Sequence, residues 1–207
     1  MQANLVIMPA KYAEDFRRFC EKNPKPCPLL EMTERPGQVE CPKFCPSGCD
    51  LRSDLPTYKI YRHGLFEESR HDITELWQDD FVSFLIGCSF SFEEALIKGG
   101  LGVRHIEEGA NVPMYKTNFP CKESGIFKGN MVVSMRPYKP EDVPKAIEIT
   151  GEFPNVHGAP VYQGHNWNQE LGIRDISQPD YGDSVTIHPD EVPVFWGCGV
   201  TPQNVIL

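Results

Sequence analysis

The chain is short of positive charge. Its 20 lysines and arginines face 29 aspartates and glutamates, a formal charge of −9 at pH 7. A nucleic-acid-binding surface needs a basic face, and the basic clusters here are mere pairs, Arg17 with Arg18 or Lys22 with Lys25. Nucleic acid is therefore not expected as the main partner. Long apolar runs are missing as well: no stretch reaches the roughly 18 residues of a membrane span. The opening MQANLVIMP lacks the basic-then-apolar layout of a secretory signal. The expected compartment is the cytoplasm, or the mitochondrial matrix if a targeting segment is missing from this chain. In a reducing compartment the eight cysteines are thiols rather than a disulfide frame. Paired zinc-ligand spacing is absent too. Cys41, Cys45 and Cys49 recur at three-residue gaps with no second pair nearby, which reads as a variable surface loop with incidental thiols, and no metal is expected. No internal repeat and no low-complexity segment interrupts the chain.

What is present is a globular composition, 40% hydrophobic and 24% charged, over a length that supports one large domain or two small ones. Leu5–Met8 reads as a short strand ended by Pro9. Ala13, Phe16, Phe19 and Cys20 recur at helical spacing, and Asn23-Pro24 stops that helix. Residues 23–31 (NPKPCPLLE) form a stiff connector that presents Lys25. Tyr58–Tyr61 reads as a strand. The apolar run after Asp79 reads as a helix to Gly87, with Phe81, Phe84 and Leu85 on its buried face. Ser91 and Glu94 have capping-box spacing, predicting a helix from Phe92 to Lys98 closed by Gly99-Gly100. Met131–Met135, the amphipathic 140–153 segment and 159–162 form a strand–helix–strand unit. Strands are also predicted over 184–187 and 192–196. The fold class is α/β: a layered mixed sheet with helices, as a larger α/β unit plus a smaller α+β unit, within one region spanning residues 1–207.

The blocks NPKPCPLLE, DLRSDLPTYKIYRHG, GCSFSFEEAL, RHIEEGANVPMYKTN, VVSMRP, FPNVHGAPV, PDYGDSV and EVPVFWGCGVTPQ stand in a fixed order from Gln2 to Gln203. Together they resemble the hydro-lyase family that is also called D-glutamate cyclase-like. The resemblance implies an α/β protein and a lyase that eliminates water from a small carboxylate, with dehydration of D-glutamate to 5-oxo-D-proline as the best-named reaction. It implies no cofactor. Relatives look longer both upstream of Gln2 and downstream of Gln203, where a histidine-containing segment follows. They also carry a shorter turn in place of 163–170, so His165 and Trp167 are poor site candidates.

Either a cyclisation or a β-elimination needs a base, an acid for the departing oxygen, and a cation against a carboxylate. The acid/base candidates are His105, Glu107, Glu108 and His157, with Glu107 and Glu108 on a strand where only one can face the cleft. Asp180 or Asp183 would orient a histidine. Arg136, at a strand end, is the first carboxylate clamp, with Arg52 and Lys116 behind it. Ser89, Ser91, Tyr115 and Cys198 complete the substrate-binding set; the backbone of Ser89–Ser91 and Gly197–Gly199 can hold an oxyanion, and Cys88 and Cys198 can serve as nucleophiles. Each has a plainer reading: Glu93 and Glu94 as first-turn helix charges, Tyr115 as core, Arg52 inside a self-satisfied Asp50–Asp54 turn, Arg136 paired to a structural carboxylate. The expected partner is a small carboxylate molecule, with self-association into a homo-oligomer. The rival to a lyase is a non-catalytic small-carboxylate-binding or regulatory domain.

Overall fold

The computed structural model describes residues 2–206. Strand β1 (Ala3–Pro9) runs into helix α1 (Ala10–Lys22), followed by β2 (Leu29–Met32). A hairpin of β3 (Tyr58–Arg62) and β4 (Leu65–Arg70) precedes β5 (Phe81–Gly87). The short helices α2 (Glu93–Lys98) and α3 (Arg104–Glu107) follow. Next come β6 (Met114–Pro120), β7 (Asn130–Tyr138) and α4 (Val143–Gly151). The described chain closes with β8 (Tyr162–Gln163), α5 (Trp167–Leu171), β9 (Val192–Gly197) and α6 (Val200–Ile206). Helices and strands are interspersed along the chain, the α/β arrangement expected from the sequence. They build three sheets, ordered β1-β5-β2, β3-β4 and β6-β7-β9-β8.

The predicted helix over 79–87 is a strand. Phe81–Gly87 pairs with β1 on one edge and β2 on the other, both antiparallel. Its two faces are both covered, which is why it reads as an unbroken apolar run. Phe84 and Ile86 meet α1, with the Phe16 ring 4.9 Å from that of Phe84. Leu85 faces the opposite side, under Cys41 and Leu51. A short run of this kind has no periodicity to separate strand from helix; its length and β-forming residues favour the strand.

The cysteine loop is likewise more than surface. Cys41 is fully buried against the sheet. The Glu31 carboxylate of β2 accepts the backbone N–H groups of Lys43 at 3.1 Å and Phe44 at 2.8 Å, which pins the loop over Leu85. Burial pushes the Cys41 thiol up to about 12, so it stays protonated and packs as a small apolar group. Among the described residues, no group of three or more His, Cys, Asp or Glu side chains is placed to hold a metal ion.

In the four-stranded sheet β7 and β8 both run antiparallel to β9, which lies between them. The strand–helix–strand unit is thus present but split, with β9 inserted. Residues 184–187, predicted as a strand, are irregular, and the strand predicted over 159–162 is reduced to Tyr162–Gln163. The two larger sheets meet where β5 and β9 end. A Cβ on Gly87 would lie 2.1 Å from the Asn155 carbonyl oxygen, and one on Gly199 would lie 2.2 Å from Asn4 Nδ2. The Gly87 contact, with backbone, admits only glycine, and the close approach at Gly199 brings the end of β9 against those of β1 and β5. No helix among the described residues is long and apolar enough to cross a membrane.

Candidate active site

The chemistry concentrates on one carboxylate. Glu93 opens α2, yet it is buried rather than solvated. On the turns of this segment Phe92, Glu93 and Leu96 face inward, while Glu94 and Lys98 form an exposed i,i+4 ion pair at 2.6 Å. Buried Arg136 of β7 reaches it from below. Arg136 Nε donates to Glu93 Oε1 at 3.1 Å and Nη2 donates to the same oxygen. Nη1 donates to Ser134 Oγ at 3.1 Å and Nη2 also to Ser89 Oγ at 3.3 Å. The guanidinium also packs against the adjacent rings of Phe92, 5.1 Å away, and Trp196, 5.4 Å away, which are 5.7 Å from each other. Arg136 is 1% exposed, and each of its three nitrogens has a protein partner. It therefore holds Glu93 rather than a ligand.

His105, on α3, contacts Glu93 Oε1 through Nε2 at 3.1 Å. Burial alone would raise the Glu93 carboxyl, but His105 and Arg136 outweigh it and hold it below the ordinary carboxylate range. Glu93 is thus a stable anion, and an imidazole that donates Nε2–H to it is left with its Nδ1 lone pair as acceptor. The Phe90 ring lies 6.1 Å from the His105 ring. Gln2, Phe90, Glu93, His105, Ile106 and Asn111 line an open depression of about 410 Å³ at this point. Its rim is apolar, with Phe90, Ile97 and Ile106 all exposed.

The other sequence candidates distribute around or away from this depression. Ser89 joins the cluster through Arg136. Ser91 does not cap α2: its hydroxyl accepts the Gln2 N–H at 2.8 Å and donates to the Gln2 carbonyl at 3.3 Å, so the capping box is not formed. Glu107 and Glu108 lie on and just after a short helix, not a strand. Glu107 pairs with Arg104 at 3.4 Å, and Glu108 accepts the Thr186 N–H at 3.2 Å. Asp183 accepts the Asn111 N–H at 2.8 Å, bracing one wall of the depression. Asp180 accepts the Lys116 N–H at 2.8 Å and, with Tyr115, lines a different cavity. Tyr115 donates its hydroxyl to the Ile176 carbonyl at 2.6 Å. Arg52 is held by Asp50 at 2.7 Å inside its own turn.

Cys88 and Cys198 lie near Arg136, but burial raises both thiols, Cys198 to about 12. Neither is poised as a thiolate nucleophile at neutral pH.

His157 sits behind the cluster. Its backbone is left-handed, φ +84°, a conformation that costs a non-glycine residue energy. Nδ1–H donates to the Lys25 carbonyl at 2.8 Å, and buried Nε2 has no partner among the described residues. Burial, assisted by the neighbouring Arg136 and Lys25 charges, depresses its pKa from 6.5 to about 4. Between those values the unfolded chain takes up a proton that the folded chain refuses. Stability contributed by neutral His157 is present above 6.5 and lost as pH falls toward 4, by about 3 kcal/mol. His157→Asn, which tolerates the left-handed backbone, is expected to cost stability at pH 7 and to narrow its deficit as pH falls. Urea midpoints measured from pH 7 to 4 check this; parallel profiles for the two proteins would refute it.

Glu93 is the member of this cluster hardest to see in the sequence. Two adjacent glutamates at a helix start look like dipole charges. The readable signal was phase: Glu93 shares the apolar face of Phe92 and Leu96, whereas Glu94 shares the polar face of Lys98.

The α/β scaffold thus presents a carboxylate–histidine pair at a small open depression. The D-glutamate cyclase family pattern matches residues 82–207, which include all of this cluster. Over its whole length the chain is 58% identical to a Staphylococcus haemolyticus protein named "Putative hydro-lyase", covering 78% of that relative. It is 55% identical to proteins of the same name from Geobacillus kaustophilus and Bordetella petrii, covering 77% and 76% of them. The chain belongs to this hydro-lyase, D-glutamate cyclase-like family, and its function is of the lyase type.

Proposed function

We propose that this chain dehydrates D-glutamate to 5-oxo-D-proline at the Glu93–His105 depression. One observation carries the reading: a buried carboxylate, charge-balanced by Arg136, holds the histidine that faces the depression.

In the proposed reaction His105 Nδ1 takes a proton from the substrate ammonium. The neutral amine then attacks the γ-carboxyl carbon, forming the C–N bond and a tetrahedral centre. The imidazolium returns its proton to one departing oxygen. The second hydrogen of the released water comes from the same nitrogen as it becomes the lactam N–H. No external acid, base or oxidant enters the balance. Glu93 stabilises the imidazolium through the middle of the sequence, the role of a carboxylate behind a catalytic histidine. The Asn111 side chain, on the wall of the depression, is suited to hydrogen-bond a substrate carboxylate, and the apolar rim to cover the methylene stem. The same His105 could serve a β-elimination from a hydroxy acid, since that too needs one proton taken and one returned.

The test is direct. Purified protein incubated with D-glutamate should release 5-oxoproline, faster than with L-glutamate, as followed by mass-resolved chromatography. No release from D-glutamate, together with no elimination from a panel of small hydroxy acids, would overturn the lyase reading of this site.

A further inference from the structure

A second cavity, of about 340 Å³, lies on the outer edge of β6 and is more enclosed than the first. Its wall is the 172–181 segment, fastened to β6 at three points. Tyr115 gives its hydroxyl to Ile176, Asp180 takes the Lys116 N–H, and Met114 and Tyr181 pair backbone to backbone, with the Met114 N–H at 2.9 Å from the Tyr181 oxygen.

The charges in this cavity are unevenly used. Lys116 and Arg174 both line it, and neither forms an ion pair within 4.0 Å with any described residue. The Lys116 ammonium lies over the Tyr181 ring at 5.5 Å. The two carboxylates of the lining differ. Asp175 is consumed: Oδ1 accepts the Ser177 N–H at 2.9 Å and its hydroxyl at 2.7 Å, and Oδ2 accepts Gln178 Nε2 at 3.1 Å. Asp180 uses only Oδ2, on the Lys116 N–H, and keeps Oδ1. The cavity therefore offers two uncommitted cations, one a guanidinium whose fork suits a carboxylate, and one uncommitted carboxylate oxygen. Its volume falls at the low end of the range for small-molecule sites, about 300–1,000 Å³.

We infer that this cavity is a second site, for a small zwitterionic amino acid. Its carboxylate meets Arg174 and Lys116, and its ammonium meets Asp180 Oδ1. The site stands apart from whatever reaction the Glu93–His105 pair performs. The turn that carries it touches both places: Asp180 lines this cavity, and Asp183, three residues on, braces Asn111 in the first depression.

The experiment uses the full chain carrying His105→Gln, to suppress turnover of the probe. D-Glutamate is titrated in, and backbone amide shifts are followed by NMR. Saturable shifts are expected at Gly172, Ile173, Arg174 and Gln178. Adding Arg174→Met or Lys116→Met should weaken that binding at least tenfold, as should Asp180→Asn. Glutarate, which lacks the ammonium, should bind there at least tenfold more weakly. All three side chains are exposed, and a dispersed amide spectrum verifies that each variant folds. Shifts confined to residues 90–111, no shifts at all, or shifts at 172–178 that Arg174→Met leaves unchanged would overturn the site. Equal binding of glutarate would overturn its zwitterion preference. Turnover by the unmodified chain is measured separately, so failure here and failure of the lyase reading are distinct results.

Discussion

Arg136→Met is expected to destabilise the fold by about 3–5 kcal/mol, because it strands a buried carboxylate without its cation. The pair is not a stabilising device in the simple sense. Removing two ions from water costs much of what their attraction returns. The asymmetry arises when one partner goes: Glu93 stays buried, with His105 as its remaining partner of opposite potential charge. Methionine is apolar and flexible but ends where Nε stood, so the guanidinium's contacts with Phe92 and Trp196 are given up too and part of the loss is packing. Two further results follow from the same cause. The deficit should shrink as pH falls, because a protonated Glu93 needs no counterion. Adding Glu93→Gln should recover part of the loss, because the charge that needed a partner is gone. Urea unfolding of the single and double variants reads both. A single variant within about 1 kcal/mol of the parent would show that Arg136 is not the balancing charge.

His105→Gln is expected to lower turnover of D-glutamate by about 10²–10⁴-fold, the range spanned by positioned general acid/base groups. Glutamine retains a donor for Glu93 Oε1 and similar bulk beside Phe90, so the fold and the depression should persist. The loss should then fall on kcat, with KM changed much less, since His105 is assigned to proton transfer and not to holding the substrate. Glu93→Gln should lower kcat in the same direction by withdrawing the charge that stabilises the imidazolium. It also leaves the buried Arg136 cation without an anion, so a stability loss is expected beside the kinetic one, although glutamine can still accept from Arg136. Steady-state kinetics beside thermal melts separate these cases. Unchanged kcat in His105→Gln would remove His105 from the mechanism and leave the depression as a binding surface.

The apolar spacing of Ala13, Phe16, Phe19 and Cys20 led directly to α1, since a helix must bury a stripe and this sequence has one. The 131–135 and 192–196 runs became β7 and β9 for the equivalent reason in a sheet. The family blocks, read in order, led to the α/β class and to lyase chemistry. His105, Ser89 and Arg136 were singled out from residue type and predicted position, and the three do converge on Glu93, directly or through Arg136.

What residue type does not carry is direction and partnership. Whether the 79–87 run is helix or strand depended on β1 and β2 offering edges on both sides, and those strands lie far away in the chain. Whether Arg136 clamps a ligand or a protein carboxylate depended on where the first turn of α2 points, 43 residues earlier. Asp180 and Asp183, read as one catalytic turn, serve two different cavities, because a turn presents residues three apart to opposite neighbours. Glu93 and Glu94 have the same side chain and adjacent positions; one helical step of about 100° puts the first in the interior beside Arg136 and the second in water beside Lys98. Local pattern chose the elements and supplied the reactive groups. Long-range packing chose which of those groups are desolvated and whom they face, because burial and partnership depend on elements distant in the chain.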